Sequence, residues 1–259
     1  MMYQGKIALI TGSASGGLGQ TIAEELARQG AAGIILTGRS TNQSDQAIKT
    51  VKALGAEAVF VQANLGDPSD CAKLIESIDV HFGRVDGLVN SAAHTYRGSI
   101  EETTLEMWET HMSVNLRAPF LLMQGCIKIM QRENIAGSII NILSTSAHGG
   151  QPFLTPYVTA KGGLIALTKN VAFSQLQNRI RVNAILPGWM DTPGEHAIQK
   201  KFYNASDDWV QKASAKLPMG KLVQPKELAK LVALILSDQG GVMTGAVIDY
   251  DQKVIGAFA

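Results

Sequence analysis

Cysteine is scarce in this chain: Cys71 and Cys126 stand far apart and without Cys-x-x-Cys spacing. That excludes a disulfide scaffold and a cysteine-based zinc site. The five histidines show no His-x-x-x-His or His-Glu-x-x-His spacing, so no metal centre is expected. Neither sign of charge dominates, with 23 basic against 22 acidic side chains. A nucleic-acid surface would need a basic excess, and an anionic membrane a basic block; neither is present. No apolar run approaches the ~18 residues of a membrane span. The segment Met1 to Thr11 is too short in apolar residues for a signal peptide. Short-period repeats, low-complexity tracts and polar linkers are missing too. What remains is the expectation of a soluble, cytoplasmic protein whose 259 residues form one domain. A hydrophobic content of 46% supplies a large core, and 26 glycines suggest ligand binding through the backbone.

Short apolar runs alternate with helical patterns up to about residue 190. Lys6–Thr11 reads as a buried strand, and Leu18–Gln29 as a helix with Ile22, Ala23, Leu26 and Ala27 on one face. Further strands are expected at Gly33–Thr37, Ala58–Gln62, Asp86–Asn90, Ser138–Leu143 and Ile180–Leu186, with helices at Ser44–Leu54 and near 69–82, 104–132 and 155–176. Continuously apolar strands joined by crossover helices predict an α/β fold, a doubly wound parallel sheet covered on both faces. After Pro187-Gly188 the pattern changes. Residues 189–224 carry Pro193, Gly194, Pro218 and Gly220 around a polar helical stretch with no strand, a candidate substrate lid. Pro225 then opens a helix to Ser237, and Ala246–Tyr250 reads as a last strand.

The first strand runs into Thr11-Gly12-Ser13-Ala14-Ser15-Gly16-Gly17-Leu18-Gly19 and then a helix. Glycines there permit a tight turn and let a pyrophosphate approach backbone N–H groups at the helix start. Some twenty residues further on, a fold selective for NAD places an acid against the ribose hydroxyls. This chain instead reads Thr37-Gly38-Arg39-Ser40, with no carboxylate between 37 and 44. Arg39 can meet a 2′-phosphate that an acid would repel, so NADP(H) is expected over NAD(H). Tyr157 and Lys161 lie four apart on a helical stretch and share a face. A neighbouring ammonium favours the phenolate and lowers a tyrosine pKa that starts near ~10.

Ser144 follows the strand 138–143, thirteen residues before Tyr157, and Asn115 lies within Ser113-Val114-Asn115-Leu116. With the glycine turn, these residues resemble the short-chain dehydrogenase/reductase family, a single-domain Rossmann fold, along essentially the whole chain. The resemblance implies Asn115, Ser144, Tyr157 and Lys161 as a catalytic tetrad. It implies cofactor contacts at Gly12, Ser15, Gly17, Leu18 and Gly19, at Asn64 and Leu65 near adenine, at Asn90, and at Pro187, Gly188 and Thr192 beside the nicotinamide. Tyr157 and Lys161 belong to that cofactor set as well. Pro218-Met219-Gly220 and Thr244-Gly245 resemble carboxyl-terminal landmarks. The chain departs from the family pattern in four places. The glycine turn has one extra residue, Asn64 stands for an Asp, Asn-Asn-Ala-Gly reads Asn90-Ser91-Ala92-Ala93, and Val-Asp-Gly-Gly reads Asp249-Tyr250-Asp251-Gln252.

The activity implied is reversible hydride transfer between a nicotinamide and a secondary alcohol or ketone. His94, Tyr96, Ser146, Gln151, Trp189, Glu195 and His196 are candidates to line the substrate pocket, and His148 follows a strand end nearby. So polar a set favours a small hydroxylated substrate such as a sugar, polyol or sugar acid. A 3-oxoacyl reductase is the enzyme alternative, and a non-catalytic dinucleotide sensor the alternative of another class. Ser144 lacks a Gly-x-Ser-x-Gly elbow, which argues against a hydrolase. The family resemblance and the two apolar-rich helices 104–132 and 155–176 imply a homo-oligomer, with a tetramer expected.

Overall fold

The computed structural model describes residues 1–255. Seven strands run in the order β3-β2-β1-β4-β5-β6-β7, all parallel. They are β1 (Ile7–Ile10), β2 (Gly33–Gly38), β3 (Glu57–Gln62), β4 (Gly87–Asn90), β5 (Ser138–Ile142), β6 (Arg181–Pro187) and β7 (Val247–Tyr250). The chain order reverses between β1 and β4, which opens a crevice at their carboxyl ends where ligands of such sheets bind.

Helices cover both faces. Along β1, Ala8 and Ile10 pack on one side with Ile22 and Leu26 of α1 (Leu18–Arg28) and with Val51 of α2 (Ser44–Ala53). Leu9 points the other way, toward Leu74 and Ile78 of α3 (Pro68–His81). This alternation, buried on both sides, is why the strands read as unbroken apolar runs. Asp67 caps α3 by accepting from the Ser69 N–H, with Pro68 at the first helical position, where a missing N–H costs nothing.

The single helix expected over 104–132 is interrupted. α4 (Leu105–Met112) passes into a π-helical turn, Ser113–Arg117, before α5 (Ala118–Arg132) resumes. Two residues account for the break. Pro119 has no N–H to return to the carbonyl four residues back, that of Asn115. The buried Asn115 side chain is meanwhile held by the loop after β4, which fixes the widened turn. α6 (Thr155–Ser174) is continuous and carries Tyr157 and Lys161 in its first two turns.

The excursion after β6 holds two helices, α7 (Pro193–Tyr203) and α8 (Trp209–Ser214), and no strand beyond one bridge, Met190 to Val223. Trp209, Ala213 and Leu222 give it a small core of its own. The chain returns through α9 (Pro225–Leu236), whose Leu228, Val232 and Leu236 join the core beside α1.

Candidate active site

A cleft of about 1090 Å³ runs along the carboxyl ends of β1, β2 and β4. Gly12, Ser15, Gly17, Leu18, Gly19, Arg39, Asn64, Leu65, His94, Thr192 and Glu195 line it, all of them singled out by sequence. The glycines divide the work. A Cβ on Gly12 would press on Ala92 at 2.9 Å, and one on Gly19 on the Gly12 carbonyl at 2.5 Å, so these two let the turn pack. A Cβ on Gly17 would meet nothing within 4 Å; its bare surface faces open space. Gly17 is also the amino-terminal cap of α1 and offers no side-chain bond, and no acid stands in the first turn. A helix start with uncapped N–H groups beside an open glycine is chemically fitted to a pyrophosphate. Arg39 is exposed on the cleft wall and forms no ion pair among the described residues. The extra residue in the turn therefore leaves the cradle open.

The Asn90 side chain turns into the sheet: its Nδ2 donates to Asn141 Oδ1 at 2.8 Å, and the residue is buried, so its backbone is what it offers the cleft side. Asn141 in turn donates to Thr168 Oγ1 at 2.9 Å, so the three form a polar rung across β4, β5 and α6. The cleft is lined by the following residues, Ser91, Ala92 and Ala93.

Ser144, Tyr157 and Lys161 meet beyond the cleft, while the Asn115 side chain is turned to His94. Ser144 ends the loop after β5 and caps a short 3₁₀ turn, Thr145–His148. Its Oγ donates to Ser146 Oγ at 3.0 Å, which donates to Gln151 Oε1 at 2.6 Å, giving a string of polar groups beside Tyr157. Burial pushes the Tyr157 phenol up to about 12; the Ser144 hydroxyl facing it pulls down, and the Glu195 carboxylate pushes further up. Burial also drives the Lys161 ammonium down to about 8. Lys161 Nζ donates to the Ile142 carbonyl at 2.8 Å and stands 5.7 Å from the Tyr157 ring centroid. Asn115 holds the backbone of His94, and the His94 ring packs 4.9 Å from Tyr96 and 4.6 Å from His111. Burial first, then the His111 and Arg39 charges, lower the His94 pKa to about 4. His94 is thus a neutral polar surface at the cleft.

The landmarks after β6 are held by strand ends. Pro187 closes β6, and the Gly188 N–H donates to the Tyr250 carbonyl at 3.0 Å; a Cβ on Gly188 would collide with the Asp251 carboxylate. Thr192 caps α7 by accepting from the Glu195 N–H at 3.1 Å. Trp189 Nε1 donates to Glu195 Oε1 at 2.8 Å, and His196 bridges Asp191 at 2.8 Å and Trp209 Nε1 at 3.2 Å.

A family model described as enoyl-(acyl carrier protein) reductase matches residues 12–252. The chain belongs to the short-chain dehydrogenase/reductase family. It is 35% identical over 251 residues to the 3-oxoacyl-[acyl-carrier-protein] reductase FabG of Escherichia coli (strain K12), covering 96% of each chain. Glucose 1-dehydrogenase 2 of Bacillus subtilis (strain 168) is 29% identical over 95% of this chain and 93% of that one. In structure it resembles L-sorbose reductase from Gluconobacter frateurii complexed with NADPH and L-sorbose. That match has a TM-score of 0.92 at 27% identity, over 99% and 98% of the two chains. The family binds NAD(P), and this member is an oxidoreductase acting on alcohol and ketone groups. No helix among the described residues is long and apolar enough to cross a membrane, and no cluster of His, Cys, Asp and Glu there suits a metal.

Three features of this dehydrogenase/reductase escaped sequence reasoning. His148 Nε2 meets Asp249 Oδ1 at 2.7 Å, which ties the Ser144 loop to β7. Gln252 accepts from the Met219 N–H at 2.7 Å and donates to the Lys221 carbonyl at 2.6 Å, strapping the end of the excursion. Both use the altered Asp249-Tyr250-Asp251-Gln252 segment, whose departure from the family pattern was the available signal. Arg97 is the third, and no local pattern marks it.

Proposed function

We propose that this enzyme interconverts a secondary alcohol and a ketone on a small hydroxylated substrate (a sugar, polyol or sugar acid), with NADP(H) preferred over NAD(H). The observation that carries the reading is the Ser144–Ser146–Gln151 string beside Tyr157, faced by the Glu195 carboxylate. Buried donors and acceptors at such a site reward a substrate whose hydroxyls pair with them and penalise one that leaves them unpaired.

In this reading the Gly17–Gly19 turn holds the pyrophosphate and Arg39 the 2′-phosphate. Asn64 and Leu65 flank the adenine, and Tyr157 and Lys161 hold the nicotinamide ribose. Pro187, Gly188 and Thr192 border the nicotinamide. The bound cofactor supplies or accepts the hydride. The rest falls to side chains. Tyr157 gives its phenolic proton to the carbonyl oxygen in reduction and takes it back in oxidation. Ser144 donates a hydrogen bond to the same oxygen and polarises it. A phenol near 12 is a poor base at neutral pH; bringing it to about 7 requires roughly 7 kcal/mol of phenolate stabilisation. Positive charge in a dry site is the means, and Lys161 is the nearest protein source. Asn115 fixes the loop that carries His94 and lends its backbone to a water link toward Lys161.

Residues 189–224 act as the substrate lid, and the whole chain works as one cytoplasmic domain. A groove of about 730 Å³ across Met112, Leu116, Phe120, Gly163, Ala166 and Leu167 offers an apolar face for self-association, which supports a tetramer. A 3-oxoacyl reductase is the second reading, favoured by the 35% identity to the Escherichia coli enzyme. Initial rates over sugars, polyols, sugar acids and 3-oxoacyl thioesters with both cofactors test the two. A kcat/KM for an oxoacyl thioester at least tenfold above every hydroxylated compound overturns the first reading.

A further inference from the structure

Arg97 sits in a box of three aromatic rings. Its guanidinium carbon lies 4.8 Å from the centroid of Phe153, 4.8 Å from Tyr203 and 5.6 Å from Phe202. Its Nε and Nη1 are buried and have no hydrogen-bond partner. An arginine always carries its charge, so two of its donors are withdrawn from water without an acceptor. No carboxylate pairs with it among the described residues. A second cation shares one of these rings: Lys201 Nζ lies 5.2 Å from Phe202, and 4.8 Å from Tyr96. It too forms no ion pair among the described residues, whereas its neighbour Lys200 pairs with Asp207. Two like charges flanking one ring, with no acid between them, form a site of unbalanced positive potential.

The position of this site relative to the chemistry is set by backbone. The Gly98 N–H donates to the Phe153 carbonyl, and the Thr155 N–H to the Gly98 carbonyl, each at 3.0 Å. Arg97 is therefore fixed against the residue that opens α6, two positions before Tyr157. From the other side, Phe202 and Tyr203 end α7, the helix that begins beside Glu195 near Tyr157. Seven or eight helical residues separate Glu195 from these rings, roughly 10 Å along the axis.

We propose that Arg97, assisted by Lys201, is the receptor for an anionic group, carboxylate or phosphate, at the far end of the substrate, which makes the substrate an anionic polyhydroxy ketone or its alcohol counterpart. This rests on the reading of a small hydroxylated substrate and narrows it. The acid group stands several bonds from the reacting carbon, because the box and Tyr157 lie at opposite ends of α7. A planar guanidinium binds a carboxylate or phosphate with two parallel hydrogen bonds, through Nη2 and either Nε or Nη1, so an anion entering the box gives one of the stranded donors its acceptor. Phe153 and the two rings of α7 are themselves part-exposed, so the box is open to solvent and to an entering anion, while the stranded nitrogens are shielded beneath them.

The test compares a 5-ketohexonate, a neutral ketohexose and a ketohexose phosphate as substrates of the wild-type enzyme and of Arg97→Gln and Arg97→Lys, with NADPH saturating. Thermal unfolding of each variant monitors the fold. In the wild type, kcat/KM for at least one anionic compound exceeds that for the neutral ketose tenfold or more; which anion leads identifies carboxylate or phosphate. In Arg97→Gln that ratio falls at least tenfold, mainly through KM, and in Arg97→Lys part of it returns. A wild type without anionic preference, or a glutamine variant that slows all three substrates equally, overturns the assignment. In that event, turnover of the neutral ketose leaves the broader reading standing. Activity confined to oxoacyl thioesters would remove both.

Discussion

Asn115 grips His94 by both of its backbone polar groups: Oδ1 accepts from the His94 N–H at 2.8 Å, and Nδ2 donates to the His94 carbonyl at 2.9 Å. One side chain thus joins the broken helix to the loop that lines the cleft. Asn115→Ala strands both groups of His94, and we expect a loss of about 1–3 kcal/mol in urea unfolding. Activity should fall with it, because the loop bearing His94 is released. Asn115→Asp keeps the acceptor but sets a buried carboxylate against the His94 carbonyl, so a loss at least as large as that of the alanine variant is expected at neutral pH; equal stability of all three proteins refutes the role.

Tyr157→Phe should abolish turnover while cofactor still binds. The ring keeps its packing, and only the proton donor goes, so the loss is at least the ~10²–10⁴-fold typical of general acid–base catalysis. Stopped-flow turnover with fluorescence titration of NADPH separates the two effects. Activity within threefold of wild type would overturn the mechanism.

Lys161 trades stability for function. Burial drives its ammonium down from the ordinary 10.5 to about 8 in the folded chain. A depressed pKa means the charged form is penalised in the folded state. The penalty is full below pH 8 and fades as pH rises from 8 to 10.5, where only the unfolded chain is still charged. Lys161→Met should therefore be inactive, with an advantage at pH 7 of roughly 3 kcal/mol from the relieved charge, set against about 1–3 kcal/mol for the Ile142 carbonyl left without its donor. That advantage should shrink toward pH 10.5 in denaturant titrations; an advantage that grows with pH contradicts the assignment.

Arg39→Ala should erase the preference for NADP(H). A single charge-assisted contact of ~1.5–3 kcal/mol corresponds to a ten- to 150-fold ratio of kcat/KM between the cofactors. No lysine or arginine in the turn 12–19 supplies a second contact. If the wild type favours NAD(H), or the alanine variant keeps its preference, Arg39 is only a surface charge.

Leu167→Arg places a charge in the groove that α6 forms with α4 and the π-helical turn. Light scattering should give the wild type a mass several times the 27.6 kDa of one chain, and the variant a mass near 27.6 kDa. A wild type already at 27.6 kDa removes the tetramer.

The sheet was legible because the central strands are buried on both faces, so their apolar runs stood out between helical patterns, while the edge strands β3 and β7 are only part-buried. The glycine turn and Tyr157 with Lys161 were legible because their chemistry demands fixed local spacing. The break at Asn115 was missed although Pro119 advertised it; the apolar periodicity runs straight through. The side-chain direction of Asn90 was not legible for another reason. A strand-end residue faces the cleft or the sheet according to the pleat, and its partner Asn141 lies fifty-one residues away. Arg97 gathers its rings from positions 153, 202 and 203, which only the folded chain brings together.

The bridge between Met190 and Val223 brings the two ends of residues 191–222 side by side. The segment leaves and re-enters at a single doorway, and its Trp209 core closes upon itself rather than upon the sheet. Strand register is therefore indifferent to what lies between those ends. Evolution can lengthen, shorten or exchange this piece like an interchangeable tool head, while the handle that moves the hydride stays the same.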